Sequence, residues 1–515
     1  MATDGALPND PELLQQLVLE LREQLAKLLR EKKGLEHELQ KLARQLFGRR
    51  SERIDPNQLD LPELEALLGS AAAHATEDDD QAPVPEPTPR GRRQKRSRKQ
   101  RLEDLPRERI EHPLAEEDRR CSCCDEDRRI FRYEVSEQLE YRPSVFLVIE
   151  HARPVAVCSN GCDAAPVIAH KPEQPIEKGL PGPGLLAHVA VSKYADHLPL
   201  NRLERIFRRQ GVSVSRSTMC GWIAEIATRA GPVVEHLRRD LLRSHIIATD
   251  DTTVPVLERR ASQTKKGRLW VYLGDEEHPW VVFDYTPTRE GEGPRQFLED
   301  YEGYLQADAY SGYDQLFVAG KVVEVGCWMH ARRYFYEAAQ TDPGLPAEAL
   351  AFIRQLFLIE RKLEDLSVEK RKEQRATRSK PLLEEFRRWL ERTAPGALPK
   401  SPLGAAVGYT MRQWKALSRY AETGDLPIDN GRSERALRTV AVGRKNWMFA
   451  GSDEGARRAA TIYSLLATCR RLEIDSFAYL RDLLQRLPTH PPDDIAALTP
   501  LAWREQQRTD IARTA

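Results

Sequence analysis

Two adjacent carboxylates, Asp250 and Asp251, close the apolar run IIATDD at residues 246–251, which raises the question of what cation they hold. Asp308 closes a second apolar stretch, YLQAD, and Glu434 lies in LPIDNGRSERALRTVAVGRKNWMFAG at 426–451. Carboxylates left unpaired at the end of a buried strand are costly unless a positive partner offsets them. Hard divalent cations take several oxygen ligands, and two such ions can clamp both the attacking and the leaving oxygen of a phosphoryl group. Three acids brought together would therefore suit metal-dependent phosphoryl transfer.

Five of the eight cysteines fall between 121 and 162. Cys121, Cys123 and Cys124 precede the strand-like EVSEQLEYRPSVFLVIEHARPVAV, and Cys158 and Cys162 follow it. Tetrahedral zinc needs four soft donors, and closely spaced thiolates on a turn can supply two at a time. Cys121, Cys124, Cys158 and Cys162 form the candidate zinc set, although the second pair has three residues between its thiols and Cys123 is left over. Buried free thiols are the other reading. Cys327 and His330 have metal-compatible spacing, but two donors do not make a site, and a structural role is favoured.

These donors need scaffolds. After Asp250 come the strand-like LWVYL (269–273) and WVVFDY (280–285), a helical RQFLEDY and then YLQAD. VVEVGC (322–327) and a helical ARRYFYEAA (331–339) follow. This order resembles a ribonuclease H-like fold, in which the first and fourth strands lie side by side, so the resemblance implies that Asp250 and Asp308 share one site. Strand parity does not choose between Asp250 and Asp251, because a central strand is buried on both faces. Three amphipathic stretches, 354–366, 381–393 and 411–422, predict an all-helical insertion before Glu434.

In LNRLERIFRRQGVSVSRSTMCGWIAEI (200–226), two apolar stripes flank Gly211, and Ser215 suits an N-cap. A helix-turn-helix would offer Arg216, Ser217 and Thr218 to base edges or phosphates, with Arg205 on the first helix; a plain helical hairpin is the alternative. In the Glu434 block, Arg435, Arg438, Arg444, Lys445 and Trp447 interleave charge with aromatic surface, which suits strand binding; a salt-bridged helix packing its aromatics into the core is the alternative.

Leucines at 14, 21, 28, 35 and 42, with Val18, Leu25, Lys32, Leu39 and Leu46 between them, predict a coiled coil and hence a homodimer or higher oligomer. A long amphipathic helix packed on its own chain is the alternative. Residues 83–89 carry alternating prolines, and eight of the twelve residues 90–101 are Arg or Lys, giving an arm for phosphates or a solvated spacer. Net charge is zero, from 79 basic and 79 acidic residues, so attraction to nucleic acid must come from such blocks. No apolar run approaches about 18 residues, and the first residues lack a signal-peptide layout, so a cytoplasmic protein without a membrane span is expected.

The full set of motifs resembles the DDE-type transposases of bacterial insertion sequences of the sixty-six family. LARQLFGRRSERI (42–54), the cysteine knuckles, KYADHLPLNR (193–202), ATDDT (248–252), LQADAYSGY (305–313), CWMHARRYF (327–335), DNGRSERALR, GRKNWMFAGS (443–452) and YLRDLLQRL (479–487) carry it, in order. The resemblance implies that Asp250, Asp308 and Glu434 are the catalytic triad, because the family's motif puts its Asp just before an acid and a Thr. It implies two Mg2+ ions, with Mn2+ able to substitute, and element ends and target DNA as substrates. It also implies accessory proteins of the same element, and association with the nucleoid when DNA is bound. The family usually has Glu at the position of Asp251, and two asparagines where this chain has Asn430 and Gly431.

The expected architecture is multidomain, α and α/β. It comprises a coiled coil (1–55), a linker with the basic arm (56–101), a zinc-ribbon-like module (102–178) and a helix-turn-helix region (179–240). A ribonuclease H-like catalytic core follows (241–340 and 425–470), interrupted by the helical insertion (341–424), with a helical tail (471–515). Two rivals accompany the transposase reading. One is a DNA-binding regulator without catalysis, disfavoured by the presence of all three acids; the other is a metal-dependent nuclease that cuts without joining.

Overall fold

The structure is a computed structural model that describes residues 107–514 apart from 143–144, 161–164, 178, 259–263, 319 and 343, together with Arg22 and Gln24. The coiled coil expected over 1–55, those two residues aside, and the basic arm at 90–101 lie outside the described residues, as does Cys162.

The first sheet is built on a long antiparallel hairpin, β2 (Arg128–Arg142) and β3 (Val145–Cys158). β1 (Arg107–Glu111) joins β3 in parallel, and the two-residue β4 (Val167–Ile168) pairs with it antiparallel. Leu139, Phe146 and Val148 bury one face of the hairpin in the main core. Helix α1 (Pro183–Tyr194) starts against it: Glu140, itself buried, accepts the Leu185 N–H at 2.8 Å. That carboxylate satisfies an orphan amide and sits at the positive end of the helix dipole.

Helices α2 (Leu200–Arg209) and α3 (Arg216–Leu241) are joined by a short turn, as both the helix-turn-helix and the helical-hairpin readings expect. Gly211 takes φ +84° in the turn, a left-handed conformation that glycine adopts without steric cost. Ser215 caps α3 by accepting the Thr218 N–H at 3.1 Å. Leu203, Phe207, Met219, Trp222, Ile223 and Ile226 are buried as their spacing predicts. The second helix outruns its motif and continues to Leu241, where Val233, Leu237 and Leu241 are buried in the same core.

The second sheet has the order β7-β6-β5-β8-β9, from β5 (Ile246–Val256), β6 (Lys265–Leu273), β7 (Val281–Thr286), β8 (Gly303–Gln306) and β9 (Val322–Val325). The β5–β6 and β6–β7 pairs are antiparallel, whereas the β5–β8 and β8–β9 pairs are parallel. β9 leads into helix α4 (Trp328–Ala339).

Helices α5 (Gly344–Leu363), α6 (Lys380–Thr393) and α7 (Pro402–Arg412) then form a separate core around Phe335, Ile353, Phe386, Trp389 and Leu417. The third predicted helix, 411–422, is instead the last turn of α7, a short helix at Trp414–Ser418 and a 3-10 turn. α7 itself starts at Pro402, with Ser401 capping Gly404; its run PLGAAVGYT carries no charged face to signal a helix.

The chain returns to the second sheet through α8 (Gly431–Trp447) and α9 (Asp453–Arg471), and ends in α10 (Ser476–Arg486) and α11 (Pro500–Thr514). The outer edge of β7 is covered by α9, where Ser464 Oγ accepts the Phe283 N–H at 2.8 Å and Thr468 Oγ1 the Val281 N–H at 3.1 Å. An open edge strand is thereby closed. Among the described residues, no helix is long and apolar enough to cross a membrane.

Candidate active site

β5 does not stop at its acids: the strand runs on to Val256, paired throughout with β6. What ends is its pairing with β8, whose last matched pair is Ala248 and Gln306. Asp250 and Asp308 each lie two residues beyond that pair, Asp250 still on β5 and Asp308 just past the end of β8, close enough for the Asp308 carboxylate to act on Asp250. Apolar neighbours such as Ile247 and Leu305 are fully buried and hold both strands in place.

The neighbouring carboxylates differ sharply. The Asp251 side chain, 3% exposed, accepts Arg268 Nη1 at 2.8 Å and Arg289 at 2.9 and 3.1 Å. Arg268 is its diagonal cross-strand neighbour on β6, which follows from the register of Asp251 with Trp270. Asp250 instead accepts the Asp251 N–H at 2.7 Å. Burial first, then the Asp308 carboxylate, push the Asp250 carboxyl up to about 7; the Asp251 amide opposes them, and Glu434 and the Asp251 carboxylate add smaller upward pushes. The pair that strand parity could not separate is thus distinguished by charge: one acid is neutralised twice over, and the other faces two further acids.

Glu434 arrives in the first turn of α8, which is fastened to β5 at both ends. Fully buried Asn430 donates to the Thr249 carbonyl at 2.7 Å, accepts the Ser433 hydroxyl at 2.7 Å, and its own amide N–H meets Cys327 Sγ at 3.2 Å. At the far end, Arg444 Nη1 donates to Thr252 Oγ1 at 2.8 Å and to the Thr253 carbonyl at 2.7 Å. From α4, Arg333 approaches Glu434 at 3.8 Å. His330 lies within electrostatic reach of Glu434, Asp308 and Asp429; burial first, then Arg333, hold its imidazole below the ordinary range. Its Nδ1 is buried with no hydrogen-bond partner among the described residues.

Of the residues expected to meet DNA, Arg205, Arg216, Ser217 and Thr218 are exposed on α2 and at the start of α3. The Ser217 and Thr218 hydroxyls both lie 2.8 Å from Ser215 Oγ. Arg435, Arg438 and Lys445 are exposed on α8, and Arg432 extends the arginine stripe at helical spacing. Arg444 is engaged with β5, and Trp447 packs half-buried against the main core, which is the helix-packing alternative for that part of the block. Arg268, Arg289 and the anchoring contact of Asn430 escaped the sequence reading. Only Asn430, beside Asp429 before a helical run, carried a local signal, and it pointed to capping rather than to an anchor on a distant strand.

At the other end of the chain, the Sγ atoms of Cys121, Cys124 and Cys158 lie within 4.8 Å of one another, and the Cys124–Cys158 separation is 3.4 Å. Cys121 and Cys124 share a turn closed by the Asp125 N–H on the Cys121 carbonyl at 2.9 Å, with Asp125 at φ +59°. The hairpin register, which pairs Arg128 with Cys158, delivers the third thiol. Cys123 is exposed and outside the group. Three clustered, unbridged thiols fit a structural zinc ion.

A mixed helix-and-sheet chain with a cysteine knuckle, a helix pair and a cluster of three acids has the make-up of a modular, multidomain protein. Comparison with known sequences narrows the class. The profile of the transposase IS66 family matches residues 178–458, and that of its zinc-finger binding domain matches 118–162. The IS66 C-terminal element matches 464–501, and a profile described as transposase C of IS166 homeodomain matches 34–110. The chain belongs to the IS66 transposase family. It is 33% identical over 511 residues to the uncharacterized protein y4hP of Sinorhizobium fredii, covering 93% of this chain and 90% of that one. The uncharacterized protein y4jD of the same organism is 28% identical over 524 residues, 97% of this chain and 98% of that one.

Proposed function

We propose that the chain is a DDE-type transposase that binds the ends of its insertion element and catalyses DNA strand cleavage and strand transfer at Asp250, Asp308 and Glu434. The observation that carries this reading is the contrast at β5, where Asp251 is neutralised by two arginines while Asp250 faces Asp308 and Glu434. A pocket of mutually repelling carboxylates, one of them largely buried, is the donor set that hard divalent ions satisfy. The sheet order, with strands one and four adjacent and parallel, supports a ribonuclease H-like catalytic domain interrupted by the helices of 341–424.

Asp250, Asp308 and Glu434 would hold two Mg2+ ions, or Mn2+ in their place. When bound, such ions lower the pKa of an attacking water or 3'-hydroxyl and stabilise the departing 3'-oxygen. The chain's own residues do the positioning. Asn430 and Arg444 hold α8 on β5, so that Glu434 stays beside the strand that carries Asp250. The exposed Arg432, Arg435 and Arg438 give α8 a cationic face for a DNA backbone, and Arg205, Arg216, Ser217 and Thr218 form the surface offered to element ends. No covalent protein intermediate is needed. The test incubates the full chain with labelled element ends and Mg2+, reading cleaved and joined products separately. Both products are expected from the native chain. Cleavage without joining would assign it as a nuclease, and neither product despite specific binding would assign it as a regulator.

A further inference from the structure

Arg289 lies in the loop after β7, and no sequence motif pointed to it. Its guanidinium meets Asp251 through Nε at 3.1 Å and Nη2 at 2.9 Å, and the same Nη2 lies 3.6 Å from Asp308 Oδ2. It also sits over the Tyr310 ring, 4.3 Å from the centroid, and the Tyr310 hydroxyl donates to the Arg289 carbonyl. Tyr310 in turn packs against Trp270 and Tyr313, both fully buried. The loop is therefore fastened at its backbone, its ring face and its charge.

Asp251 carries one negative charge against the two positive charges of Arg268 and Arg289, so the group keeps a net positive charge at the rim of the acid cluster. The side chain of Arg289 is 40% exposed, and of its two carboxylate contacts the one to Asp308 is the longer. A divalent ion that claimed Asp308 would break that weaker contact and leave the stronger one intact. The anion then within reach of a cation at the mouth of such a site is the phosphate backbone of a bound strand.

We propose that Arg289 is a positioning residue of this site: anchored on Asp251, it holds Asp308 until a divalent ion takes that carboxylate, and then presents its charge to a DNA phosphate. The inference rests on the acid cluster being the metal site proposed above. It makes Arg289 a resident cation that the metal displaces from one partner, and it gives Asp251 the task of keeping that cation in place.

Two measurements on the full chain test it: Mn2+ binding followed by electron paramagnetic resonance without DNA, and single-turnover cleavage of labelled element ends across DNA concentrations. Arg289→Gln is expected to bind Mn2+ about two- to five-fold more tightly, the range for removing one partly exposed ion pair. Its maximal cleavage rate is expected to fall about tenfold or more, and the half-saturating DNA concentration to rise. Arg289→Lys keeps the charge without the fork and is expected between Gln and wild type on both readings. Unchanged or weaker Mn2+ binding by Arg289→Gln, in a chain that melts like wild type, would overturn the proposal. Should the Gln variant not fold, wild-type values of both readings in Arg289→Lys would overturn it. Asp250→Asn is run beside them. Wild-type cleavage by that variant removes the metal-site reading itself, whereas an inert Asp250→Asn with wild-type behaviour at Arg289 removes only this inference.

Discussion

The acid cluster and the cysteine knuckle are built in opposite ways. The knuckle is local: Cys121 and Cys124 share one turn, and a single hairpin register brings Cys158 to them. Thiols can sit together uncharged, so the knuckle's geometry costs little before any ion arrives. The acid cluster draws on two parallel strands and a helix that returns after the whole helical insertion, and its members repel one another. The anchors are placed accordingly, with Asn430 and Arg444 on the helix and two arginines on Asp251. The knuckle is a site that an ion would help to fold, whereas the acid cluster is one that the fold must hold together against its own charge.

The strongest attack on that contrast removes one repelling acid. Asp250→Asn is expected to lower strand cleavage about a thousand-fold or more, as loss of a residue acting within a catalytic unit does. DNA binding should persist in a gel-shift assay. Melting without divalent ions should hold or rise, because a buried charge facing Asp308 and Glu434 has gone. Asp251→Asn should do the reverse to stability, since it leaves Arg268 and Arg289 facing one another without their shared carboxylate. A clear drop in melting temperature for Asp250→Asn would break the idea that the cluster is held against its own repulsion.

The knuckle should respond in the opposite sense. Cys158→Ser is expected to weaken zinc binding by more than about 100-fold, beyond what loss of an outer-shell partner causes. The hairpin of β2 and β3 should open to protease first, with the sheet that carries Asp250 the last to yield. Metal content by mass spectrometry and limited proteolysis together check this. Equal zinc content in the variant and the native chain would return the three thiols to buried, unliganded cysteines.

A smaller effect probes the anchoring of the helix. Asn430→Ala removes the bond to the Thr249 carbonyl and leaves that buried acceptor unpaired, for a loss of about 1–3 kcal/mol in urea unfolding. Cleavage should fall more steeply than DNA binding, because Glu434 loses its fixed distance from β5 while the arginine stripe stays on the surface. Equal losses in both would make Asn430 a general support of the fold.

Much of this was legible in the chain itself. Periodicity gave the helix pair, since Leu203, Phe207, Met219 and Trp222 recur at helical spacing and are buried. The strand sequence around Asp250 and Asp308 was readable because buried strands are apolar runs. The extent of β5 was not, because its acids and threonines look like an ending; its partner β6 continues beyond the reach of β8, and pairing is not written locally. Between Asp250 and Asp251 only the family motif chose; the physical difference was hidden, because Arg268 and Arg289 become neighbours of Asp251 only after the sheet and its loop have formed. α7 was missed where PLGAAVGYT is apolar on several sides, as a helix buried between others is.

The smallest expected effect sharpens the comparison inside the knuckle. Four cysteines could complete a tetrahedral set, but Cys123 is exposed and outside the clustered three. Its side chain is on the same turn as Cys121 and Cys124, so proximity in sequence alone would favour it as the fourth donor. Geometry argues otherwise, because consecutive residues on a tight turn rarely aim both side chains at one centre. Cys123→Ser is therefore expected to leave zinc content and melting temperature at the native values, and Cys162→Ser to lose zinc as Cys158→Ser does. If the two results are exchanged, the fourth ligand is Cys123, and the zinc site becomes a feature of the first turn and β3 alone.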